Sequence, residues 1–409
     1  MAENDPNNDR RQALTATEAA ARLGVKRETI YAYVSRGALH RRVDMDGRTS
    51  LFDPAEVEAL RQGRRAKTDG ELHTQIATAI THVTDAALMI RGQDLIALVA
   101  DAAPFSDVVD VLWESPASDA WPQVTASEAV TADEVRATDA VGTLDDLRIT
   151  VALASKRDPM RHDLSDASIR SAGRALITGM VTNLPALQPA PDHGEADDPA
   201  RPLAAAMWTR LTDRPAQPEE VRALDGALSL LVDHGLAGST FAARIAASVR
   251  ADPYSVVSAG LGALGGVAHG AASILVHELF AEAERLGDAA IAVGDAQRRL
   301  GRIPGFGHTI YTSQDPRFGA LMRLIIDAYG PDPRIQHAYR VRDIVAARTD
   351  ALPNIDLAIG ALTWLAGMPA HAGEVIFAIA RTAGWLAHAM EEYSEAPLRF
   401  RPKARYIGA

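Results

Sequence analysis

The stretch that decides the fold is residues 221–244, VRALDGALSLLVDHGLAGSTFAAR. Its first half carries apolar side chains at helical spacing, and these form one stripe: Val221, Leu224, Leu228, Leu231 and Val232. A second, Ala-rich helical pattern begins after Ser239. Two helical patterns that follow one another closely are typical of a helical domain.

Patterns of the same kind dominate the rest of the chain after residue 70. They recur after Ser255, Ser273 and Asp356, and again along residues 374–392. Strand-like alternation is scarce, so this part of the chain is predicted to be all-α. Segments 115–143 and 188–202 are rich in small polar residues or Pro, and they are predicted to be loops or poorly packed insertions.

Charge is unevenly distributed along the 409 residues. The chain has 42 Lys and Arg against 53 Asp and Glu, a net charge of −11. Residues 1–67 hold 13 basic and 10 acidic residues, so this head is +3 and the remaining body is −14. Cysteine is absent, which excludes disulfides, Cys-ligated metals and a thiol nucleophile.

Neither a membrane span nor a targeting segment is predicted. The most apolar stretch, residues 357–370, is shorter than the roughly 20 residues that a spanning helix needs. The polar residues 1–11 lack the apolar core of a signal peptide. The protein is therefore expected to be cytoplasmic.

One glycine pattern imitates a dinucleotide-binding site. Residues 260–265, GLGALG, match the fingerprint G-x-G-x-x-G. That fingerprint binds a dinucleotide only when a strand precedes it, and here both flanks have helical patterns. The small residues are instead assigned to close packing between helices.

The head, residues 14–60, has a compact pattern of its own. Thr17 is predicted to cap a helix that Gly24 ends, and a second helix follows with Ile30 on its apolar side. Asp46-Gly47 predicts a hairpin turn, and Asp53-Pro54 opens a third helix.

Residues 18–31, EAAARLGVKRETIY, resemble the winged helix-turn-helix of MerR and excisionase proteins. The second helix of that motif meets the major groove of double-stranded DNA. The candidate DNA-binding residues are Lys26, Arg27, Thr29, Tyr31 and Arg48. Further arginines are candidates for phosphate contacts: Arg36, Arg41 and Arg42. The alternative is that the head contacts only protein or is vestigial, because the acidic body repels DNA unless the head is held away from it.

The body resembles citrate synthases from about residue 200 to the end, with a fainter match from about residue 91. The matching segments occur in the family's order: 223–244, 254–270, 305–308, 315–317, 353–356, 379–385 and 401–408. Several motifs in one order are far more specific than any one of them. The resemblance implies an all-α fold in which a large and a small helical domain close over the site.

Forming a carbon–carbon bond from a thioester requires a base at its methyl group and a donor at its oxygen. The resemblance makes Asp356 the base, His269 the donor to the enol oxygen and His308 the group that polarises the acceptor carbonyl. It assigns the acceptor's carboxylates to four residues: His234, Arg317, Arg381 and Arg401. Arg401 would come from a partner subunit, so a homodimer with shared sites is implied. No metal or redox cofactor is required.

Each of these residues also has a simpler interpretation. His234 is typical of a satisfied core histidine, and Asp356 of a helix cap. Arg317 is typical of an exposed turn, residues 305–308 of a tight loop, and residues 399–405 of a solvated end. Together, in the family's order, they favour catalysis. Three other histidines match no catalytic motif and are predicted to be structural: His277, His371 and His388.

The sequence departs from the family's pattern around these groups. Leu231 replaces a histidine, Leu357 replaces an aromatic residue, and Thr312 stands where the family has a cation near the CoA phosphates. Weaker acyl-CoA binding or a changed substrate is therefore a hypothesis.

The predicted domains are a head and linker, 1–70, a large domain, 71–270 with 367–409, and a small domain, 271–366. The predicted activity is that of a citrate synthase, in which acetyl-CoA, oxaloacetate and water give citrate and CoA. One alternative is a 2-methylcitrate synthase that uses propionyl-CoA, since one methylene changes discrimination by only ~1–3 kcal/mol. The other is a DNA-binding regulator whose synthase-like body senses a metabolite.

Overall fold

The protein is described by a computed structural model that covers residues 13–35, 39–43, 49–54, 56–58, 60, 76–85, 87–123, 143–188, 200–266, 269–308, 310–312 and 314–402. Spatial contacts between Cα atoms divide the chain into two compact units, Met1–Ala77 and Thr78–Ala409.

The first unit contains two helices and a small sheet. Its elements are β1 (Leu14–Thr15), α1 (Ala16–Leu23), α2 (Arg27–Ser35), β2 (Arg42–Val43) and β3 (Ser50–Phe52). The sheet is antiparallel with the order β1-β3-β2, and residues 54, 56–58 and 60 are helical. Buried Ala19, Ile30, Leu39, Phe52 and Val57 form its core. The two predicted helices are confirmed, and so are the strands on either side of the predicted hairpin turn.

The start of α1 differs from the prediction. Thr15 caps the helix: its Oγ1 accepts a hydrogen bond from the Glu18 amide at 3.3 Å, and Glu18 accepts one from the Thr15 amide at 2.8 Å. This capping box starts α1 two residues before the predicted cap, Thr17. Gly24 ends the helix with a φ of +64°, as predicted. The turn at Asp46-Gly47 lies outside the described residues.

The second unit is built from helices. The first six are α3 (Leu95–Ala100), α4 (Phe105–Trp113), α5 (Leu144–Arg157), α6 (Asp166–Thr182), α7 (Pro202–Leu211) and α8 (Pro218–Leu231). Those that follow are α9 (Gly238–Ser248), α10 (Pro253–Leu264), α11 (Ala272–Leu286), α12 (Ala289–Leu300), α13 (Pro316–Tyr329), α14 (Ile335–Ala346), α15 (Ile355–Leu365) and α16 (Ala372–Ser394). The strands form one small antiparallel sheet of β4 (Thr81–Val83), β5 (Leu88–Ile90) and β6 (Gln93–Asp94). The all-α prediction is therefore confirmed.

The core of this unit surrounds α16, whose 23 residues are almost all buried. It packs against α6, α8, α9 and α10. Farther along, α11 packs on α12 and α15, and α13 packs on α8 and α15. In the part of the chain that the structure describes, no helix is both long enough and apolar enough to cross a membrane.

The segment at 115–143 is partly described. Its first nine residues are irregular, as predicted, but they are well packed. The Asp119 carboxylate accepts hydrogen bonds from Arg170 at 2.9 Å and Arg174 at 3.1 Å, and Trp121 stacks on Trp113. Residues 124–142 and 189–199 lie outside the described residues.

The glycines at 260–265 belong to a helix. Gly260 and Gly262 lie inside α10, and Gly265 caps its end. A Cβ atom on Gly260 would lie 2.5 Å from the ring of Trp385 on α16, whereas one on Gly262 would have no neighbour within 4 Å. The prediction of close helix packing is confirmed at Gly260, and the dinucleotide-binding interpretation is excluded.

Gly260→Ala is therefore expected to lower the free energy of unfolding by ~1–3 kcal/mol, because it forces α10 away from the buried Trp385 ring. Gly262→Ala, two residues along the same helix, is the matched control. It is expected to be neutral or to stabilise the protein by up to about 1 kcal/mol through helix propensity. Urea unfolding of both variants measures the difference, and equal effects at the two positions would contradict this packing.

Candidate active site

The turn that carries His234 is held by its neighbour Asp233. One oxygen of the Asp233 carboxylate accepts hydrogen bonds from the Gly235 amide at 3.0 Å and the Thr81 hydroxyl at 2.6 Å. Gly235 has a φ of +63°, a conformation that favours glycine. His234 is buried, and its Nε2 lies 2.9 Å from the hydroxyl of Tyr311. Burial holds the pKa of His234 far below its usual range, so its imidazole is neutral.

His308 follows a loop that needs two glycines. Gly305 and Gly307 have φ values of +81° and +84°. The Nδ1 atom of His308 accepts hydrogen bonds from the amides of Ile310 at 3.0 Å and Tyr311 at 3.3 Å. Burial lowers the pKa of His308, so the ring is neutral and its proton lies on Nε2. His308 is thereby fixed as a hydrogen-bond donor at Nε2.

Tyr311 joins the two imidazoles. Its ring centroid lies 4.6 Å from that of His308 and 5.5 Å from that of His234, and the two imidazoles are 5.2 Å apart. Burial raises the pKa of Tyr311 to about 12, so its hydroxyl stays protonated. Sequence reasoning gave this residue no role. The available signal was its place three residues after His308.

Asn354, and not Asp356, caps α15. Its side-chain oxygen accepts a hydrogen bond from the Asp356 amide at 3.0 Å, and its side-chain nitrogen donates to the carbonyl of Gly307 at 2.9 Å. The interpretation of Asp356 as a mere helix cap is therefore wrong. The same asparagine ties the His308 loop to the first turn of α15.

The Asp356 carboxylate is left without hydrogen-bond donors among the described residues. Burial raises its pKa to about 6, and this effect outweighs the opposing charge of Arg317. A carboxylate with a raised pKa and no fixed partner is suited to accept a proton from a weak carbon acid.

Arg317 is buried and paired. Its Nε and Nη2 donate to the two oxygens of Asp315 at 3.0 and 2.9 Å. Asp315 also accepts a hydrogen bond from the amide of Ile355 at 3.1 Å, which links the pair to the start of α15. The interpretation of Arg317 as an exposed turn residue is wrong.

Arg381, on α16, is also buried but is paired differently. Its Nε donates to the carbonyl of Leu231 at 2.8 Å, and its guanidinium lies 4.6 Å from the ring centre of Phe377. Its two terminal nitrogens donate no hydrogen bond to any described residue. Burial lowers the pKa of Arg381 to about 10, which leaves the group charged at neutral pH.

His269 lies between α10 and α11, directly after two residues that are outside the described ranges. Its Nε2 is 2.8 Å from the hydroxyl of Ser239, in the first turn of α9. Its ring meets the edge of Phe377 at 5.7 Å. Burial lowers the pKa of His269 to about 4, so the ring is neutral. Ser239 was not predicted as a site residue.

Thr312 is held by an acidic residue. Its amide and hydroxyl donate to the two oxygens of Asp85 at 2.6 and 2.7 Å. This clamp ties the end of the His308 loop to the turn between β4 and β5. A carboxylate thus lies at the position where the sequence lacks the expected cation.

The structure brings most of the predicted residues together. The charges of Arg317 and Arg381 act on both His234 and Asp356, and Phe377 connects Arg381 to His269. Arg401 is exposed and forms no hydrogen bond or ion pair with the described residues. The described ranges contain no group of three His, Asp or Glu side chains able to hold a metal ion.

The candidate residues of the head lie at the start of α2. Lys26 and Arg27 are exposed, Thr29 is half-buried and Tyr31 is 38% exposed. Arg41 and Arg42 are exposed near β2, whereas Arg36 and Arg48 lie outside the described residues.

Comparison with known protein families decides the classification. The sequence model described as "Citrate synthase, C-terminal domain" matches residues 73–403. The chain belongs to the citrate synthase family. A model described as "Helix-turn-helix domain" matches residues 13–65. The chain is therefore an acyltransferase of the citrate synthase type with a helix-turn-helix at its N-terminal end, which confirms the predicted family, fold and enzyme class.

Named relatives include synthases of two kinds. Citrate synthase 2 of Bacillus subtilis is 28% identical over 355 residues, which cover 81% of this chain and 93% of that protein. 2-Methylcitrate synthase 1 of Corynebacterium glutamicum is 31% identical over 193 residues, 46% of this chain and 50% of that protein. The fold matches the citrate synthase of Thermoplasma acidophilum, solved with carboxymethyl coenzyme A and oxaloacetate, with a TM-score of 0.66 at 22% identity over 84% of this chain and 96% of that one.

Asp356→Asn is expected to stabilise the protein above about pH 6. The folded wild type keeps its proton up to about pH 6, whereas the unfolded chain loses it near about pH 4, so the free energy of unfolding falls between these values. The asparagine avoids this loss, worth ~1–3 kcal/mol. Urea unfolding across this pH range measures it.

Asp343→Asn on the exposed face of α14 is the control, and it is expected to change stability by less than about 0.5 kcal/mol. A difference between Asp356→Asn and wild type that does not depend on pH would show that the Asp356 carboxyl is not desolvated.

Proposed function

We propose that the chain is a citrate synthase that condenses acetyl-CoA with oxaloacetate and water to give citrate and CoA. The observation that carries this proposal is the Asp356 carboxylate, which is desolvated, has a pKa of about 6 and shares its surroundings with Arg317 and Arg381. Family membership supplies the reaction class, and these residues supply the chemistry that it needs.

In the first step, Asp356 takes a proton from the methyl group of the thioester. Negative charge then develops on the thioester oxygen, and His269 donates a hydrogen bond to it. Because Ser239 can donate its hydroxyl proton to Nε2 of His269, the imidazole proton is available at Nδ1. The neutral form set by burial is the form that this step requires.

In the second step, the methyl carbon forms a bond to the ketone carbon of oxaloacetate. His308 polarises that ketone through its Nε2–H and protonates its oxygen as the bond forms. Water then cleaves the thioester, which releases CoA and citrate. The carboxylates of oxaloacetate are assigned to His234, Arg317 and Arg381, and to Arg401 of a second copy in a homodimer.

The proposed site lies between two domains. The large domain, 71–270 with 367–409, supplies His234, His269 and Arg381. The small domain, 271–366, supplies His308, Arg317 and Asp356, and in it α11 packs on both α12 and α15. Closure of one on the other excludes water until the carbon–carbon bond has formed. The reaction needs no metal or redox cofactor.

The identity of the acyl group separates the two candidate synthase activities. Relatives named as citrate and 2-methylcitrate synthases both match, and Leu357 follows Asp356 where the family has an aromatic residue. A 2-methylcitrate synthase acting on propionyl-CoA is the alternative activity. The larger acyl chain differs by one methylene, which corresponds to ~1–3 kcal/mol of discrimination.

Free-thiol release with oxaloacetate and each acyl-CoA tests the proposal. Wild type is expected to release CoA fastest from acetyl-CoA, with kcat/KM falling below about pH 6 as Asp356 becomes protonated. Asp356→Ala is expected to lose ~10²–10⁴-fold in rate, because it removes the base. Asp343→Ala on the protein surface serves as the matched control. Absence of release from both acyl-CoAs would sink the proposal, and a faster rate with propionyl-CoA would favour the alternative.

A second function is favoured by the helix-turn-helix match and by the exposed basic side chains at the start of α2. In this function the head binds double-stranded DNA, and the body reports the binding of a dicarboxylate or acyl-CoA. Lys26 and Arg27 would contact phosphates at the edge of the groove.

Binding to a labelled duplex from the DNA upstream of the chain's own coding region tests the head. Affinity is expected to fall steeply with salt, and replacing both Lys26 and Arg27 with alanine is expected to reduce the salt slope by about 2. Arg22→Ala, on the preceding helix, is the control for the loss of one positive charge outside α2, and it is expected to change the salt slope by less than either single replacement, Lys26→Ala or Arg27→Ala. No binding at low salt would exclude this function.

A further inference from the structure

Five ionisable side chains form one continuous chain of contacts through the second unit. We call them the buried chain: Asp233, His388, Arg244, Glu392 and Arg399. All but Arg399 have side chains with no solvent exposure. Neighbouring members are separated by 2.6–3.4 Å. Because an unpaired buried charge is strongly destabilising, each member of the buried chain depends on its neighbour for a compensating charge or hydrogen bond.

His388 is the neutral link in this chain. A guanidinium has only donors, so Arg244, whose Nη1 lies 2.9 Å from His388 Nδ1, must donate to that atom. With Nδ1 accepting, the proton of the neutral ring lies on Nε2, 3.4 Å from both oxygens of Asp233. His388 therefore accepts at one end and donates at the other.

The Asp233 end of the buried chain reaches the site. Asp233 accepts the hydrogen bond from the Gly235 amide that shapes the turn carrying His234. The backbone of α16 lies directly against this turn: a Cβ atom on Gly384 would meet Asp233 Oδ1 at 2.8 Å and would also meet the carbonyl of Val232. The turn is thus packed on the same helix that carries His388, one helical turn farther along.

The Arg399 end reaches the C-terminal segment. Arg399 donates to the two oxygens of Glu392 at 2.8 and 2.6 Å. The amide of Leu398 donates to the carbonyl of Ser248, at the end of α9, at 2.8 Å. Arg401 follows two residues after Arg399.

Arg244 has further charged partners. Its Nη1 also donates to Glu391 at 2.6 Å, and its Nε donates to Glu392 at 3.1 Å. Glu391 in turn accepts a hydrogen bond from the amide of Ala79. Arg244 is therefore fixed from several sides, and its position fixes both His388 and Glu392.

We propose that His388 is a positioning residue, which holds the Asp233–His234 turn in register with the buried Arg244–Glu392 pair, whose glutamate anchors the segment bearing Arg401 through Arg399. The contacts of His388 carry this inference. The statement that the two ends of the buried chain face oxaloacetate, in the same subunit or in the neighbouring one, rests on the proposed function.

The test uses His388→Phe in the full-length protein. Phenylalanine removes both hydrogen bonds of His388 at similar volume. Hydrogen exchange, read by mass spectrometry, reports on the Gly235 amide, and it is expected to become at least about tenfold faster. The KM for oxaloacetate is expected to rise about tenfold with kcat changed less than about threefold, because binding contacts are lost equally from the ground and transition states.

Two further variants separate positioning from general damage. His388→Gln keeps an acceptor toward Arg244 and a donor toward Asp233, and it is expected to restore exchange and KM to within about threefold of wild type. His277→Phe makes the same change at another histidine, whose Nδ1 lies 3.0 Å from the hydroxyl of Thr363 on α15, and it is expected to leave exchange at Gly235 unchanged. If His388→Phe does not fold, Arg399→Ala tests the outer end, where it is expected to speed exchange at Leu398 and raise the KM for oxaloacetate.

The inference is overturned if His388→Phe leaves the Gly235 amide as protected as in wild type, or if exchange rises equally across all helices. It is also overturned if glutamine fails to restore the turn, or if Arg399→Ala leaves Leu398 protected. Wild type without synthase activity would instead remove the proposed function. The exchange measurements would then decide the positioning role alone.

Discussion

The burial of charged groups on α16 is the constraint on which the rest of the second unit depends. This helix carries the charged Arg381 and Glu392 and the imidazole of His388 inside the protein, and each has hydrogen-bond partners on other segments. Their partners are Asp233 and Arg244, the carbonyl at the end of α8 and the C-terminal segment. Because an uncompensated buried charge costs several kcal/mol, the helices around α16 are held in one arrangement. That arrangement is also the one that builds the site.

The same burial determines which groups in the site are charged. Desolvation favours the neutral form of every titratable group, so His234, His269 and His308 lose their protons and Asp356 keeps one to an unusually high pH. Arginine resists this effect because its intrinsic pKa is so high. Positive charge in the site therefore comes from guanidinium groups, even though the body of the protein is strongly acidic. An anionic substrate would meet a local positive field inside a protein of the opposite net sign.

The helices could be predicted from the sequence because helical periodicity is a local signal, whereas the candidate site residues were predicted from several motifs whose order resembles that of one family. Helical periodicity marks α8, and the glycine pattern at 260–265 is explained once its flanks are taken as helices. The start of α1 was misplaced although Thr15 and Glu18 carry the spacing of a capping box. The contacts of Tyr311, Ser239 and His388 could not be predicted, for another reason. Their partners lie 77, 30 and 155 residues away, and such pairings leave no pattern in a single sequence.

The two arginines of the site differ in a way that assigns them different tasks in the proposed reaction. Arg317 already holds a carboxylate, Asp315, through two parallel hydrogen bonds, and that pair is tied to the amide of Ile355 beside Asp356. Among the described residues, Arg381 donates a hydrogen bond only through its Nε. Its two terminal nitrogens are therefore open to an incoming carboxylate. A fork already paired with one carboxylate gains less from a second, since part of its charge is neutralised. In the proposed reaction both arginines bind oxaloacetate, but Arg381 supplies the larger share of that binding, and the Arg317–Asp315 pair also fixes the first turn of α15, which carries Asp356.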